Sequence, residues 1–304
     1  MMRTDLDHLP ESKRRELERV RQILFEEFEA ATAHRSQPHL KRGRILKLVL
    51  FGSYARGDWV SDPVGGYLSD YDLLVVVDHE DLTDVVAYWA EADERLMRET
   101  AIAKRLSAPV NFIVHSLGDV NRQLGRGRPF FTDILKDGVA LYEADGHPFN
   151  TPKPLSPQEA FKEAEGYFKE WFSTADEFRA GAIFHAERGA EKVAAFNFHQ
   201  ATERFYHCVL LVLTLYSPKS HKLNFLRSQA ERLAPQLIGV WPRTTRFEQR
   251  SFELLRRAYV DARYSPHYRI TADELTWIGN QINQLQAEVR AICEARLGAM
   301  RKEV

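Results

Sequence analysis

Between Asp145 and Pro157 the sequence carries Pro148, Pro152, Pro154 and Pro157, a spacing that neither a helix nor a central strand tolerates. The segment cuts the chain in two, and the halves read differently. Before it, short β-branched runs alternate with helical periodicity; after it the strand signal disappears. We divide the chain into residues 1–150 and 151–304: an α/β (α+β) domain with a small sheet, then an all-α helical bundle.

In the first half, Leu17, Val20, Ile23, Leu24, Phe28 and Ala31 recur at three-to-four spacing and predict a helix over 10–34. The apolar run 45–51 stops at Gly52 and reads as a strand, as do 71–77, 109–115 and 139–142. Helical patterns cover 81–106, 117–124 and 129–137. In the second half they cover 157–180, 186–216, 220–236, 244–263 and 271–299, with breaks at 217–220, 240–243 and 264–267.

The formal net charge is -1, so no overall basic field announces nucleic acid, and RNA as a partner is not indicated. Two cysteines, Cys208 and Cys293, exclude a disulfide scaffold and a cysteine zinc cluster. The charged N-terminus does not read as a signal peptide, and the apolar stretch 208–215 is too short to span a bilayer. The expected compartment is the cytoplasm, with no membrane partner.

The chemistry concentrates in Gly52-Ser53-Tyr54-Ala55-Arg56-Gly57 and, beyond the loop 54–69, in Asp70-Tyr71-Asp72 at the head of a strand. Gly52 and Ser53, directly after a strand, can offer backbone N–H groups and a hydroxyl to a phosphate. Asp70 and Asp72, two apart on a strand, leave on one face. Two neighbouring carboxylates repel unless a hard cation lies between them, and oxygen donors suit Mg²⁺. Arg56 can complement phosphate charge.

These residues resemble the signature of the minimal nucleotidyltransferases of the polymerase-β superfamily, over about residues 40–145. The resemblance implies a small mixed sheet with helices on one side and a nucleoside triphosphate substrate, ATP or another. It also implies phosphates on Gly52 and Ser53 and a two-metal Mg²⁺ site on Asp70 and Asp72. The spacer is longer than the family's, with residues 63–66 as an insertion. Where the family carries a third carboxylate, on the next strand, this chain has Asn111, which has no negative charge for a metal and cannot act as a base.

The second half, over about 158–298, resembles the HEPN domain through Phe198-His199-Gln200-Ala201-Thr202-Glu203 and the segment 261–268. That resemblance implies a helical bundle of a kind that often dimerises. Some HEPN domains are ribonucleases built on an Arg and a His four to six residues apart; the match here is Arg263 and His267, with three residues between them, Pro266 among them. A helix stop or a nucleotide site with Lys222 are the other readings of that segment. In paired systems of this type the transferase can modify a tyrosine of its helical partner, which singles out Tyr264 and Tyr268; packing is the other reading of both. His199, Glu203 and His207 lie on one helical face and read as hydrogen-bonded bundle positions rather than metal ligands.

The leading expectation is a Mg²⁺-dependent enzyme moving a nucleoside monophosphate from a nucleoside triphosphate to a hydroxyl, with the helical half binding the acceptor or forming a homodimer. The alternatives are a degenerate nucleotide-binding regulator, or a ribonuclease toxin with its antitoxin in the same chain.

Overall fold

The computed structural model describes residues 2–62 and 67–304, so the insertion read at 63–66 lies outside the described residues. The chain divides into two compact units, Met1–Pro154 and Leu155–Val304.

The strands of the first unit are β1 (Ile45–Phe51), β2 (Ser61–Asp62), β3 (Tyr67–Leu68), β4 (Tyr71–Val77), β5 (Val110–Ser116) and β6 (Val139–Glu143). The main sheet runs β5-β4-β1-β6, with β2 and β3 as a separate pair. β1 is antiparallel to β4 and β6, whereas β4 and β5 are parallel, so the sheet is mixed. All seven residues of β1 and of β4 are buried. Alternate residues point to opposite faces, so Leu73 and Val75 need cover on one side and Leu74 and Val76 on the other.

On the first face the cover comes from α1 (Glu11–Ala33), whose Leu17, Val20, Leu24 and Phe28 share a core with Leu48, Leu50, Leu73 and Val75. After α2 (Pro38–Lys41) and α3 (Ser53–Arg56), the region read as one helix over 81–106 breaks into a 3₁₀ turn at Glu80–Thr83, α4 (Val85–Tyr88) and α5 (Ala90–Ala101). The Asp84 carboxylate accepts the Ala87 N–H at 3.0 Å, capping α4 and restarting the helix there. α6 (Leu117–Gly125) packs on β4 and β5, and α7 (Pro129–Asp137) on β1. Helices therefore lie on both faces, which corrects the expectation of one covered side. The doubly apolar pattern of β1 and β4 is the reason.

In the second unit α8 (Pro157–Tyr167), a π-helical turn at Phe168–Phe172 and α9 (Ser173–Glu187) form one uninterrupted helical run. The break placed near 181–185 comes instead at 188–190, where Gly189 takes φ +71°, a conformation only glycine adopts cheaply. The remaining helices are α10 (Glu191–Thr214), α11 (Leu223–Leu233), α12 (Arg246–Tyr264) and α13 (Ala272–Arg301). Capping boxes at Thr245/Glu248 and Thr271/Glu274 start α12 and α13. α10 touches the other α-helices of the unit and from Ala201 to Val212 is buried on nearly every side rather than along one stripe, as suits a central helix. At its middle the Cys208 and Cys293 sulfurs, both free thiols, lie 4.0 Å apart. Among the described residues, no helix is long and apolar enough to cross a membrane.

Candidate active site

The antiparallel register of β1 and β4 sets Phe51 opposite Asp72, and the parallel register of β4 and β5 sets Asp72 beside Asn111. Gly52, Asp70, Asp72 and Asn111 thus meet at one end of the sheet. The Asn111 amide nitrogen donates to the Asp70 carboxylate at 2.8 Å. Asp72 is 5% exposed and Asp70 half-buried. Asp70 lies one residue before β4 and Asp72 is the second residue of that strand.

Gly52 leaves β1 with φ +76° and ψ -153°, a region essentially closed to residues with a Cβ. That bend starts the single turn of α3 at Ser53, and Gly57 closes it in the left-handed region, its N–H donating to the Ser53 carbonyl at 2.9 Å. Ser53 therefore opens a turn beside the head of β4. Arg56 is exposed and forms a two-pronged pair with Asp58, Nε and Nη2 each 3.1 Å from a carboxylate oxygen. Reaching a phosphate means exchanging that surface pair, a small cost.

Beneath the acidic pair lies a network that the sequence reading missed. The Tyr71 hydroxyl donates to Glu16 at 3.0 Å, and Ser107 donates to the same carboxylate from both its N–H and its hydroxyl. Lys13 sits 5.4 Å and 5.6 Å from the Tyr54 and Tyr71 ring centres, and Tyr54 stacks on Trp59. Burial, then the negative charges of Glu16 and Asp70, push the Tyr54 hydroxyl up to about 12, so it stays a neutral packing group. Glu16 and Lys13 carry no local signal, because they reach the site from a helix that begins at residue 11.

Two nearby acids, Glu80 and Asp119, do not complete the acidic pair. Glu80 accepts from Ser116, and Asp119 pairs with His115 at 2.6 Å. Ser116 and His115 lie at the far end of β5 from Asn111, about 13–16 Å away at the ~3.3 Å rise of a strand. The His115 hydrogen bond, opposed by burial, and then the charges of His115 and Arg122 pull the Asp119 carboxyl down from 3.8 to about 2. A carboxyl depressed by folding stabilises above its unfolded value and loses that contribution as pH falls through the folded one. The wild type should therefore lose about 2 kcal/mol between pH 4 and pH 2 that Asp119→Asn lacks at every pH, as measured by urea denaturation across that window.

In the helical unit, Arg263 lies in the last turn of α12, its guanidinium 4.3 Å from the Tyr259 ring centre and its Nε donating to the Tyr259 carbonyl. His267 follows in the exposed loop, its N–H donating to Ser265. Each has its own local partners. Tyr268 is buried with its hydroxyl donating to the Leu254 carbonyl at 3.0 Å, whereas Tyr264 is 73% exposed. His199, Glu203 and His207 are buried on α10. Glu203 pairs with His221 at 2.9 Å, and His207 with Ser217. Burial, then the positive charges of His221 and Arg263, hold His199 down to about 3, so it is neutral at physiological pH. Lys222 precedes α11.

Both halves of the chain are similar to known proteins. Residues 39–113 match the nucleotidyltransferase domain family and residues 168–289 the HEPN domain family. A Methanocaldococcus jannaschii protein named as a protein adenylyltransferase is 32% identical over 103 residues, 33% of this chain and 82% of that protein.

Proposed function

The chain belongs to the nucleotidyltransferase family and carries a HEPN domain in its second half, and from this we propose that it moves a nucleoside monophosphate from a nucleoside triphosphate to a protein hydroxyl. The observation that carries this reading is the convergence of Asp70, Asp72 and the Gly52–Ser53 turn at one sheet end, with Asn111 in register beside them. The name of the archaeal relative supports AMP as the transferred group and a protein as the acceptor.

In the reaction the acceptor oxygen bonds to the α-phosphorus, the bond from that phosphorus to the β-phosphate bridging oxygen breaks, and pyrophosphate leaves. Gly52 brings backbone close to the phosphates and Ser53 adds a hydroxyl, while Arg56 can turn from Asp58 to meet phosphate charge. Asp70 and Asp72 fit Mg²⁺, being hard oxygen donors on one face, and Asn111 can add a neutral carbonyl oxygen. When bound, the metal neutralises triphosphate charge. The acceptor proton must go to Asp70, Asp72 or water, because the Asn111 amide cannot take it. The helical unit is proposed to supply the acceptor or a homodimer contact; Tyr264 offers it an exposed hydroxyl, which Tyr268 does not.

The test is transfer of label from α-labelled ATP, GTP, CTP or UTP into protein, with and without Mg²⁺, beside calorimetric titration of the same nucleotides. Mg²⁺-dependent incorporation from ATP, reduced in Tyr264→Phe, is the expected result; neither binding nor incorporation would overturn it.

Asn111 favours a second reading, a nucleotide-sensing regulator, since its amide ties up Asp70 where a base is wanted. A positioned general base is worth on the order of 100-fold. Asn111→Asp is expected to raise incorporation by about that factor. An unchanged rate would mean that the native site needs no further carboxylate.

A further inference from the structure

At the opposite end of β4 from Asp72, three side chains from two elements meet without a role in transfer. His39 lies in α2, just before β1, and His79 and Asp81 directly follow β4. The antiparallel pairing of Ile45 with Val77 brings these two flanks together, and the Arg44 N–H donates to Asp78 at 3.0 Å between them. One donor atom of each of His39, His79 and Asp81 lies within 4.8 Å of the other two. His39 Nε2 is 3.3 Å from Asp81 Oδ2, and His79 Nδ1 is 3.6 Å from the same oxygen. The two imidazole centres are 4.4 Å apart.

We propose that His39, His79 and Asp81 bind a zinc-class divalent transition metal, with water completing the coordination. Tetrahedral zinc with bonds of roughly 2.0–2.1 Å places its ligand atoms about 3.3–3.4 Å apart. Two of the three edges are already near that length, so small rotations of exposed side chains seat the ion. His79 Nδ1 carries a lone pair rather than a proton, and the Asp81 N–H occupies it at 3.2 Å. The ion takes over from that amide. Two imidazoles and one carboxylate select zinc, nickel or copper over magnesium, which prefers oxygen donors. The site is therefore chemically distinct from the Asp70/Asp72 pair, about 17 Å away along β4 at a strand's ~3.3 Å per residue. Its effect would be to clip the segment entering β1 to the turn leaving β4.

Calorimetric titration of chelator-treated full-length protein with Zn²⁺ tests this. It is run in wild type and in Asp70→Ala/Asp72→Ala, so that zinc at those carboxylates is counted apart. In both backgrounds one equivalent should be lost on His39→Ala and again on Asp81→Asn, and Mg²⁺ should not replace it. Zn²⁺ should also raise the thermal midpoint of the parent protein and not of His39→Ala. All three side chains are exposed, so the variants should fold, which far-ultraviolet circular dichroism checks. An equivalent retained in His39→Ala, or absent from the parent, overturns the proposal.

Discussion

Asp70→Ala/Asp72→Ala is expected to lower nucleotide transfer about a thousand-fold while the chain stays folded. The registers of β1, β4 and β5 bring these two carboxylates to the sheet end beside Gly52 and Asn111, whereas the Glu16 carboxylate beneath them is engaged by Tyr71 and Ser107. Removing them takes away the charge that would hold a divalent cation on the triphosphate. Such a cation is worth several kcal/mol of transition-state stabilisation, and about 4 kcal/mol corresponds to roughly a thousand-fold. Folding survives because the strand core rests on Leu73 to Val77, all buried, and because removing two adjacent like charges relieves repulsion. Label incorporation gives the rate, and far-ultraviolet circular dichroism gives the fold. A variant that folds and still transfers at more than a tenth of the native rate would place the chemistry elsewhere.

The largest stability effect is expected at Trp241→Ala in the helical unit, about 4 kcal/mol, the cost typical of truncating a buried aromatic side chain. Trp241 is 1% exposed, its ring lying 5.0 Å from Phe252 and 6.0 Å from Trp277. Its Nε1 donates to the Tyr206 hydroxyl at 2.8 Å, so the substitution also leaves a hydroxyl on the central helix without this donor. Tyr206→Phe removes only the hydrogen bond and should cost about 1–2 kcal/mol. Urea denaturation, followed by circular dichroism at two wavelengths to separate the units, reads both. A Trp241→Ala loss below about 1 kcal/mol would show that the surrounding helices close over the cavity.

The same residue shows how differently the two levels of description carry information. In sequence, 240–243 reads as a helix break, which it is, since a 3₁₀ turn ends at Val240. Nothing local says that the break delivers the best-buried tryptophan of the bundle. The two-residue spacing of Asp70 and Asp72 was legible because it lies within a few residues of the chain, at the start of an apolar run. The glycine after β1 was legible because an apolar run stopped there. The helices of the second half were legible from their period, except where α9 runs through Gly181 to Glu187 and the left-handed turn comes only at Gly189.

What the sequence by itself determined, then, is whatever rests on neighbours in the chain: strand and helix periods, the paired carboxylates, the proline-rich division, the residue types at the site. The tertiary structure decided the rest. It alone tied the Asn111 amide to Asp70, set Glu16 of α1 under Tyr71, covered the sheet on both faces, and joined His39 to His79 across forty residues. Periodicity is fixed by backbone geometry within a few residues. Register and long-range pairing are fixed by which buried surfaces and hydrogen bonds win over the whole unit, and that competition leaves no local trace.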